Sequence, residues 1–285
     1  MAVQPSFSGC ESFPDLQLGD HWCLPVDGDA DRLGGTARFA ELGLCSGGKV
    51  VVFTAGETPD EMAAFLADRL PGAAAALTAG QLAVLDCRDV YLTDGTFDPA
   101  TTVSRYLAQI DLAEQQGYPG LWAAVDMAWI QADRAGIGLL ADYEAAVNPG
   151  FADRRVAAVC VYDRSRICPT LVEEICGAHP LTPGQAPLRF ASTTDPPGLA
   201  LSGEADLTNH RALTALLTPL HEAPGHITID ATGLHFADLR TADLLSDVSI
   251  ARPAGATTVH GSPVVNRLLE LVADYRSMTG GPPSA

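Results

Sequence analysis

Residues 49–54 read Lys49-Val50-Val51-Val52-Phe53-Thr54, four apolar residues in a row behind a lysine. Three more runs of this kind follow: Leu82-Ala83-Val84-Leu85-Asp86, Leu121-Trp122-Ala123-Ala124-Val125-Asp126 and Val156-Ala157-Ala158-Val159-Cys160-Val161-Tyr162. A strand with one face in water alternates apolar and polar residues. Runs this continuous belong to strands covered on both faces, the pattern of a parallel sheet. Helical stretches separate them, and their ends are readable. Thr58-Pro59-Asp60-Glu61 offers an N-cap with proline at the first helical position, and Asp98-Pro99 opens the next helix. Within that helix Val103, Leu107, Ile110, Leu112 and Ala113 are expected to face the core. From His21 to about Leu181 the chain therefore predicts an α/β domain, a mostly parallel sheet with helices on both faces.

Downstream, Thr182-Pro183-Gly184-Gln185-Ala186-Pro187 is a Pro/Gly-rich connection. A second, smaller α/β pattern follows it. Leu199-Ala200-Leu201-Ser202-Gly203-Glu204-Ala205-Asp206 reads as a strand, and Thr208 as the cap of a helix with the stripe Leu213, Leu216, Leu217 and Leu220. Ile227-Thr228-Ile229-Asp230 reads as the next strand. Asp238 stands where another helix should start, a place where a carboxylate meets exposed amides. Ser262-Pro263 opens the last helix, with Val265, Leu268, Leu269 and Val272 inward. The expected organisation is an arm over 1–18, a domain over 19–181, a linker over 182–186, a second domain over 187–276 and a tail over 277–285.

The 285 residues carry 35 acidic and 17 basic side chains, a formal net charge of −18. That charge repels phosphate backbones, so nucleic acid is not an expected partner. The seven cysteines, an odd number in no tight framework, fit reduced thiols and a cytoplasmic location. No apolar run approaches the roughly 18 residues that span a bilayer, so no membrane association is expected.

Several pieces occur in order through residues 19–181: Gly19-Asp20-His21-Trp22-Cys23-Leu24-Pro25, Gly80-Gln81-Leu82, Tyr91-Leu92-Thr93-Asp94-Gly95-Thr96-Phe97-Asp98-Pro99, Asp126-Met127-Ala128-Trp129, Tyr143-Glu144-Ala145-Ala146-Val147-Asn148 and Cys160-Val161-Tyr162-Asp163-Arg164. The ordered set resembles the MEDS sensory domain of methanogen and methylotroph regulators and of actinobacterial signalling proteins. The resemblance implies a RecA-like or KaiC-like sheet without nucleotide hydrolysis. It departs at Val26, where an aromatic residue usually stands. The glycine-rich candidate for a phosphate loop, Gly47-Gly48-Lys49-Val50, precedes a strand rather than a helix and has no Ser or Thr after the lysine. A phosphate cradle needs helix N-terminal amides and a hydroxyl for magnesium, so the segment reads as an ordinary turn.

The later pattern, from the Leu199–Asp206 strand through Phe236-Ala237-Asp238-Leu239-Arg240-Thr241 to the last helix, resembles the STAS domain of sulfate transporters and anti-sigma factor antagonists. That resemblance implies a partner-binding face at Asp206, Asp238, Arg240 and Thr241. In the family a serine one or two positions after the Asp of the turn is phosphorylated. Leu239 and Arg240 stand there, so the usual switch is expected to be missing. Arg240 reads either as a surface ion pair with Asp238 or Asp243 or as a fixed partner contact, and Thr241 is a substitute phosphoacceptor to test.

Candidate ligand-binding residues follow from strand periodicity. In an extended His21-Trp22-Cys23, His21 and Cys23 share a face and could join Cys160 of another strand around a ligand; the plainer reading makes the cysteines small core residues. Glu57, Asp126, Trp129 and Tyr162 each lie at or just after the end of a strand, where parallel sheets hold ligands. For Asp126 and Trp129 the plainer readings are a turn cap and a core ring. The histidines His210, His221, His226 and His235 read as solvated surface. No Gly-x-Ser-x-Gly, His-Glu-x-x-His or paired-cysteine motif is present, and no catalytic residue, structural metal or cofactor is expected.

The function these features point to is a non-enzymatic bacterial signalling protein. It would sense an unknown small molecule through the first domain and bind an anti-sigma factor or another STAS-containing regulator through the second, and a homodimer is compatible with this. A nucleotide-binding or ligand-processing enzyme, and an assembly scaffold that senses nothing, are the competing readings.

Overall fold

The computed structural model describes residues 15–93, 95–132 and 136–279. Most of the expected arm and tail, and Cys10, lie outside the described residues. The elements in chain order are β1 (His21–Val26), α1 (Asp29–Cys45), β2 (Lys49–Thr54), α2 (Pro59–Arg69), α3 (Ala73–Ala79), β3 (Leu82–Asp86), α4 (Cys87–Tyr91), β4 (Leu92–Thr93), β5 (Thr96–Phe97), α5 (Pro99–Gln115), β6 (Leu121–Asp126), α6 (Leu140–Ala146), β7 (Val156–Asp163), α7 (Pro169–Ala178), β8 (Leu188–Thr194), β9 (Pro197–Ala205), α8 (His210–Leu217), β10 (Ile227–Ala237), α9 (Leu239–Ala251), β11 (Thr257–Gly261) and α10 (Pro263–Thr279). They form two compact units: one reaches to Leu140 and adds Arg154–Glu173, the other joins Ala141–Asp153 to the chain from Glu174 onward.

The first unit holds a five-stranded sheet in the order β1-β7-β6-β2-β3. All its pairings are parallel. β2, β6 and β7 are buried at every position, which is why their sequences do not alternate. α1 packs on β2, β6 and β7. The close approach depends on Gly43, where a Cβ would stand 2.7 Å from Val50 Cγ2 and 2.8 Å from Trp122 Cβ. Phe39 of α1 adds a ring contact to Trp122, 5.4 Å between centroids. α2 opens with a full capping box, Thr58 and Glu61 each bonding the other's backbone amide.

In α5 the buried residues are Thr102, Tyr106, Ile110 and Ala113, whereas Leu107 and Leu112 are exposed and Val103 is half-buried. The expected stripe was thus one residue out of phase at its start. The hydroxyl of Thr102 is satisfied within the helix by the Asp98 carbonyl, 2.8 Å away, so a formally polar residue takes an inward position.

The second unit holds a four-stranded sheet in the order β11-β10-β9-β8. β8 and β9 form an antiparallel hairpin, and β9, β10 and β11 run parallel. α8 buries Ala212, Leu213, Leu216 and Leu217, and α9 buries Thr241, Ala242, Leu245 and Val248. α10 buries Val265 and Val272 and is tied to α9 by Arg276, which binds Asp243 and Asp247. Thr208 does not cap α8. Asn209 occupies the cap position, while Thr208 turns its amide (2.7 Å) and hydroxyl (2.6 Å) onto Asp206.

Candidate functional site

The strand order makes the chain leave β2 outward to β3 and return to β6 on the other side. The carboxyl ends of β2 and β6 therefore flank the point where the sheet's winding reverses, the crevice in which open α/β sheets hold ligands. Here that crevice contains a side chain of the protein. Arg32 of α1 is 1% exposed and directs Nη1 to Asp126 Oδ2 at 2.8 Å and to Glu57 Oε2 at 2.9 Å, with Nη2 on Glu57 Oε1. Its Nε reaches the exposed Asp29 at 3.3 Å. Burial works against the charged guanidinium. The hydrogen bond to Glu57 and the charges of Asp126 and Glu57 outweigh it and raise the pKa above the ordinary arginine value. Asp126 is further fixed by the amides of Gly56 at 3.2 Å and Ala128 at 3.0 Å. A Cβ at Gly56 would stand 3.0 Å from Arg32 Nη2, so the backbone of the β2–α2 turn is fitted around the guanidinium.

Other carboxylates on this rim also have local partners. Asp86 caps α4 and binds Arg88; Asp163 accepts from Ser165 and pairs with Arg166 at 3.0 Å. At the opposite end of β2, buried Lys49 donates to the Gly80 carbonyl and lies over the Tyr118 ring. The Gly47-Gly48-Lys49 segment is therefore a turn leading into a strand. Burial lowers the Lys49 pKa.

Trp129, expected at the rim, lies in a cluster of rings. It stacks on Tyr91 at 4.7 Å and tilts against Phe97 at 4.9 Å. Its indole Nε1 is buried with no hydrogen-bond partner. Cys87 donates to the Asp126 carbonyl at 3.2 Å; burial, reinforced by the charges of Asp126 and Asp86, pushes its thiol well up, so it stays protonated.

On the other side of the sheet's centre, β1 and β7 place Cys23 in register with Cys160. His21 and Cys23 share a face of β1, and the His21 ring reaches across so that Nε2 lies 3.4 Å from Cys160 Sγ. His21 is 1% exposed, Cys23 0% and Cys160 5%. An imidazole beside a thiol in a dry setting can hold a soft metal ion, bind a polar group of a small molecule, or react with an electrophile. The structure thus brings together His21 and Cys160, with Cys23 in register, and separately Glu57 and Asp126 through Arg32. Trp22 alternates to the opposite face of β1 and is core, and Tyr162 of β7 is wholly buried.

In the second unit, Asp238 caps α9, accepting from the Thr241 amide at 2.7 Å. The Thr241 hydroxyl is buried and spans the Ala205 carbonyl (2.9 Å) and Asp238 (2.8 Å), so it is shielded from solvent in the folded chain. Arg240 is exposed and pairs with neither expected carboxylate: Asp238 serves the cap, and Asp243 is bound by Arg276. The charge of Arg240 is felt at His210, whose pKa is lowered first by burial and then by Arg240, with Asp238 opposing. His210 is not the solvated residue expected, since its Nε2 is buried without a hydrogen-bond partner. Glu144 and His179 form a further buried pair, Oε2 to Nε2 3.4 Å, with His179 Nδ1 2.8 Å from the Ile175 carbonyl.

Sequence reading missed Arg32 because an arginine in the first turns of a helix ordinarily belongs to the surface. The available signal was an apolar α/β frame with two strand-end carboxylates and no lysine or phosphate loop to neutralise them. A family model described as "MEDS: MEthanogen/methylotroph, DcmR Sensory domain" matches residues 20–180. No curated protein matches the chain.

Proposed function

The chain belongs to the MEDS family, that of the methanogen/methylotroph DcmR sensory domain, through residues 20–180, and on that premise we propose that it is a signalling protein whose first unit receives a small ligand and whose second unit binds a protein partner. The observation that carries the sensory assignment is the His21–Cys160 contact of 3.4 Å, with Cys23 in register beside it. Two strands bring one imidazole and two thiols to a common buried face, an arrangement that core packing alone does not require. The switch-point crevice, the other candidate, is filled by Arg32 and reads as a structural clamp.

The second unit serves as the output. Its hairpin followed by alternating helices and parallel strands supports a STAS-type reading, with an anti-sigma factor or another STAS-containing regulator as the partner. The face around Asp206, Asp238 and Arg240 works without phosphorylation: Leu239 and Arg240 replace the acceptor, and Thr241 is buried. If ligand binding changes partner affinity by some factor, partner binding changes ligand affinity by the same factor.

A thermal-shift screen of small molecules tests the sensory assignment, with tryptophan emission as the readout. All three tryptophans, Trp22, Trp122 and Trp129, lie in the first unit. Compounds that raise the transition of the wild type but not of Cys160→Ser support the assigned site; compounds acting equally on both place the pocket elsewhere. Calorimetric titration of an anti-sigma factor kinase, with and without ATP and magnesium, tests the output: the same affinity and no covalent phosphate are expected. Loss of binding accompanied by phosphorylation of the chain would contradict it.

A further inference from the structure

α10 has two apolar stripes where its own fold uses one. The inner stripe, buried Val265 and Val272 with half-buried Leu269 between them, continues into Arg276, which grips α9. The second comprises Val264, Leu268, Leu271, Tyr275 and Met278, spaced 4, 3, 4 and 3 residues apart. Leu268 is half-buried. Val264 is 46% exposed, Leu271 42%, Tyr275 65% and Met278 77%. An exposed surface helix gains nothing from five large apolar residues in alternating steps of four and three. That spacing is the seam of two helices packed side by side.

The flanking charges indicate what covers it. On one side of the seam, Val265 and Val272 are committed to the core. On the other stand Arg267 and Asp274, seven residues apart and opposite in sign. In a parallel pair each would face the valine side of its partner and find no charge. In an antiparallel pair the charged sides face each other. The register that sets Leu268 against the partner's Leu271 and Val264 against the partner's Tyr275 also sets Arg267 beside the partner's Asp274, twice, by two-fold symmetry. One helix thus carries both halves of its own complement, as an isologous interface requires. In the isolated chain Arg267 turns to exposed Glu270 at 2.8 Å, an exposed pair that is easily exchanged.

We propose that α10 is a homodimerisation helix, packing antiparallel on α10 of a second copy through Val264, Leu268, Leu271 and Tyr275, with Arg267 and Asp274 fixing the register. This inference stands independently of the ligand and partner assignments. Sedimentation equilibrium of the full chain across micromolar concentrations tests it. The wild type is expected to dimerise and Leu271→Glu to remain monomeric. Arg267→Glu is expected to weaken the dimer by about tenfold, because two attractions become two repulsions. Combining Arg267→Glu with Asp274→Arg should restore it, which a general loss of folding would not do. A Val264→Cys, Tyr275→Cys chain should cross-link under oxidation far more than either single variant. A wild type monomeric at every concentration, a dimer indifferent to Leu271→Glu, or a charge swap that fails to restore dimerisation would overturn the proposal, the first leaving the seam to a helix of another protein.

Discussion

Replacing Arg32 by methionine keeps an unbranched apolar stem and removes the guanidinium with its charge. It leaves the carboxylates of Glu57 and Asp126 side by side with no cation; the Asp126 side chain is 4% exposed and that of Glu57 25%. Breaking a buried ion pair by deleting one partner costs about 3–5 kcal/mol. Asp126 keeps two amide donors, from Gly56 and Ala128, and Glu57 keeps some water, so the lower end, about 3 kcal/mol, is expected. The assay is urea unfolding followed by tryptophan emission, which reports the first unit alone because it holds all three tryptophans. Guanidinium is unsuitable because it would supply the missing cation. With a urea slope of about 1–3 kcal/mol per molar, the midpoint should fall by roughly 1–3 M. Adding Glu57→Gln and Asp126→Asn to Arg32→Met removes the uncompensated charge and should recover most of the loss. A midpoint shift below about 0.3 M at an unchanged slope, or a triple variant less stable than Arg32→Met, would refute the clamp.

Three further outcomes are expected. Among the cysteines of the described residues, under native conditions a maleimide should modify the exposed Cys45 and Cys168 first and Cys87 only on unfolding, since Cys87 is buried with its thiol pKa raised; peptide mapping over time reads this order. Thr241→Val should destabilise the second unit by about 1 kcal/mol through loss of its hydrogen bonds to Ala205 and Asp238, and Asp238→Ala by a similar amount through loss of the α9 cap, both measured by urea unfolding followed by amide exchange of α9. Because the folded His210 resists protonation, the unfolded state binds the extra proton as pH falls below about 6.5, so this residue subtracts stability on acidification and none above neutrality. Arg240→Gln should raise the His210 titration midpoint in proton NMR, and an unmoved midpoint would mean that Arg240 does not act on that ring.

What the sequence disclosed depended on how local each signal was. The central strands could be read because burial on both faces erases alternation within a single run such as Val50–Phe53. Asp98, Asp238 and the Thr58/Glu61 box could be read because a cap needs only its own first turn. α5 was misphased because Thr102 hides its hydroxyl in its own helix, so burial there does not track hydropathy. Thr208 lost the cap position because Asp206, two residues earlier, captures both its amide and its hydroxyl. Strand alternation joined His21 to Cys23, and register alone brings Cys160 beside them. Arg32 was illegible: its partners lie 25 and 94 residues away, and nothing in its helix turn distinguishes it from a solvated arginine. The burial of Thr241 depends likewise on a carbonyl 36 residues away.

The central claim is that the His21–Cys160 face of the first unit holds a small molecule. The most direct measurement is the mass of the untreated purified protein under native and then denaturing conditions, for the wild type and for His21→Ala. An additional non-covalent mass on the native wild type, absent from the variant and released on denaturation, is the predicted result. A retained mass that persists unchanged in His21→Ala, or a bare chain mass in the wild type even after exposure to compounds that stabilise the first unit, would contradict it.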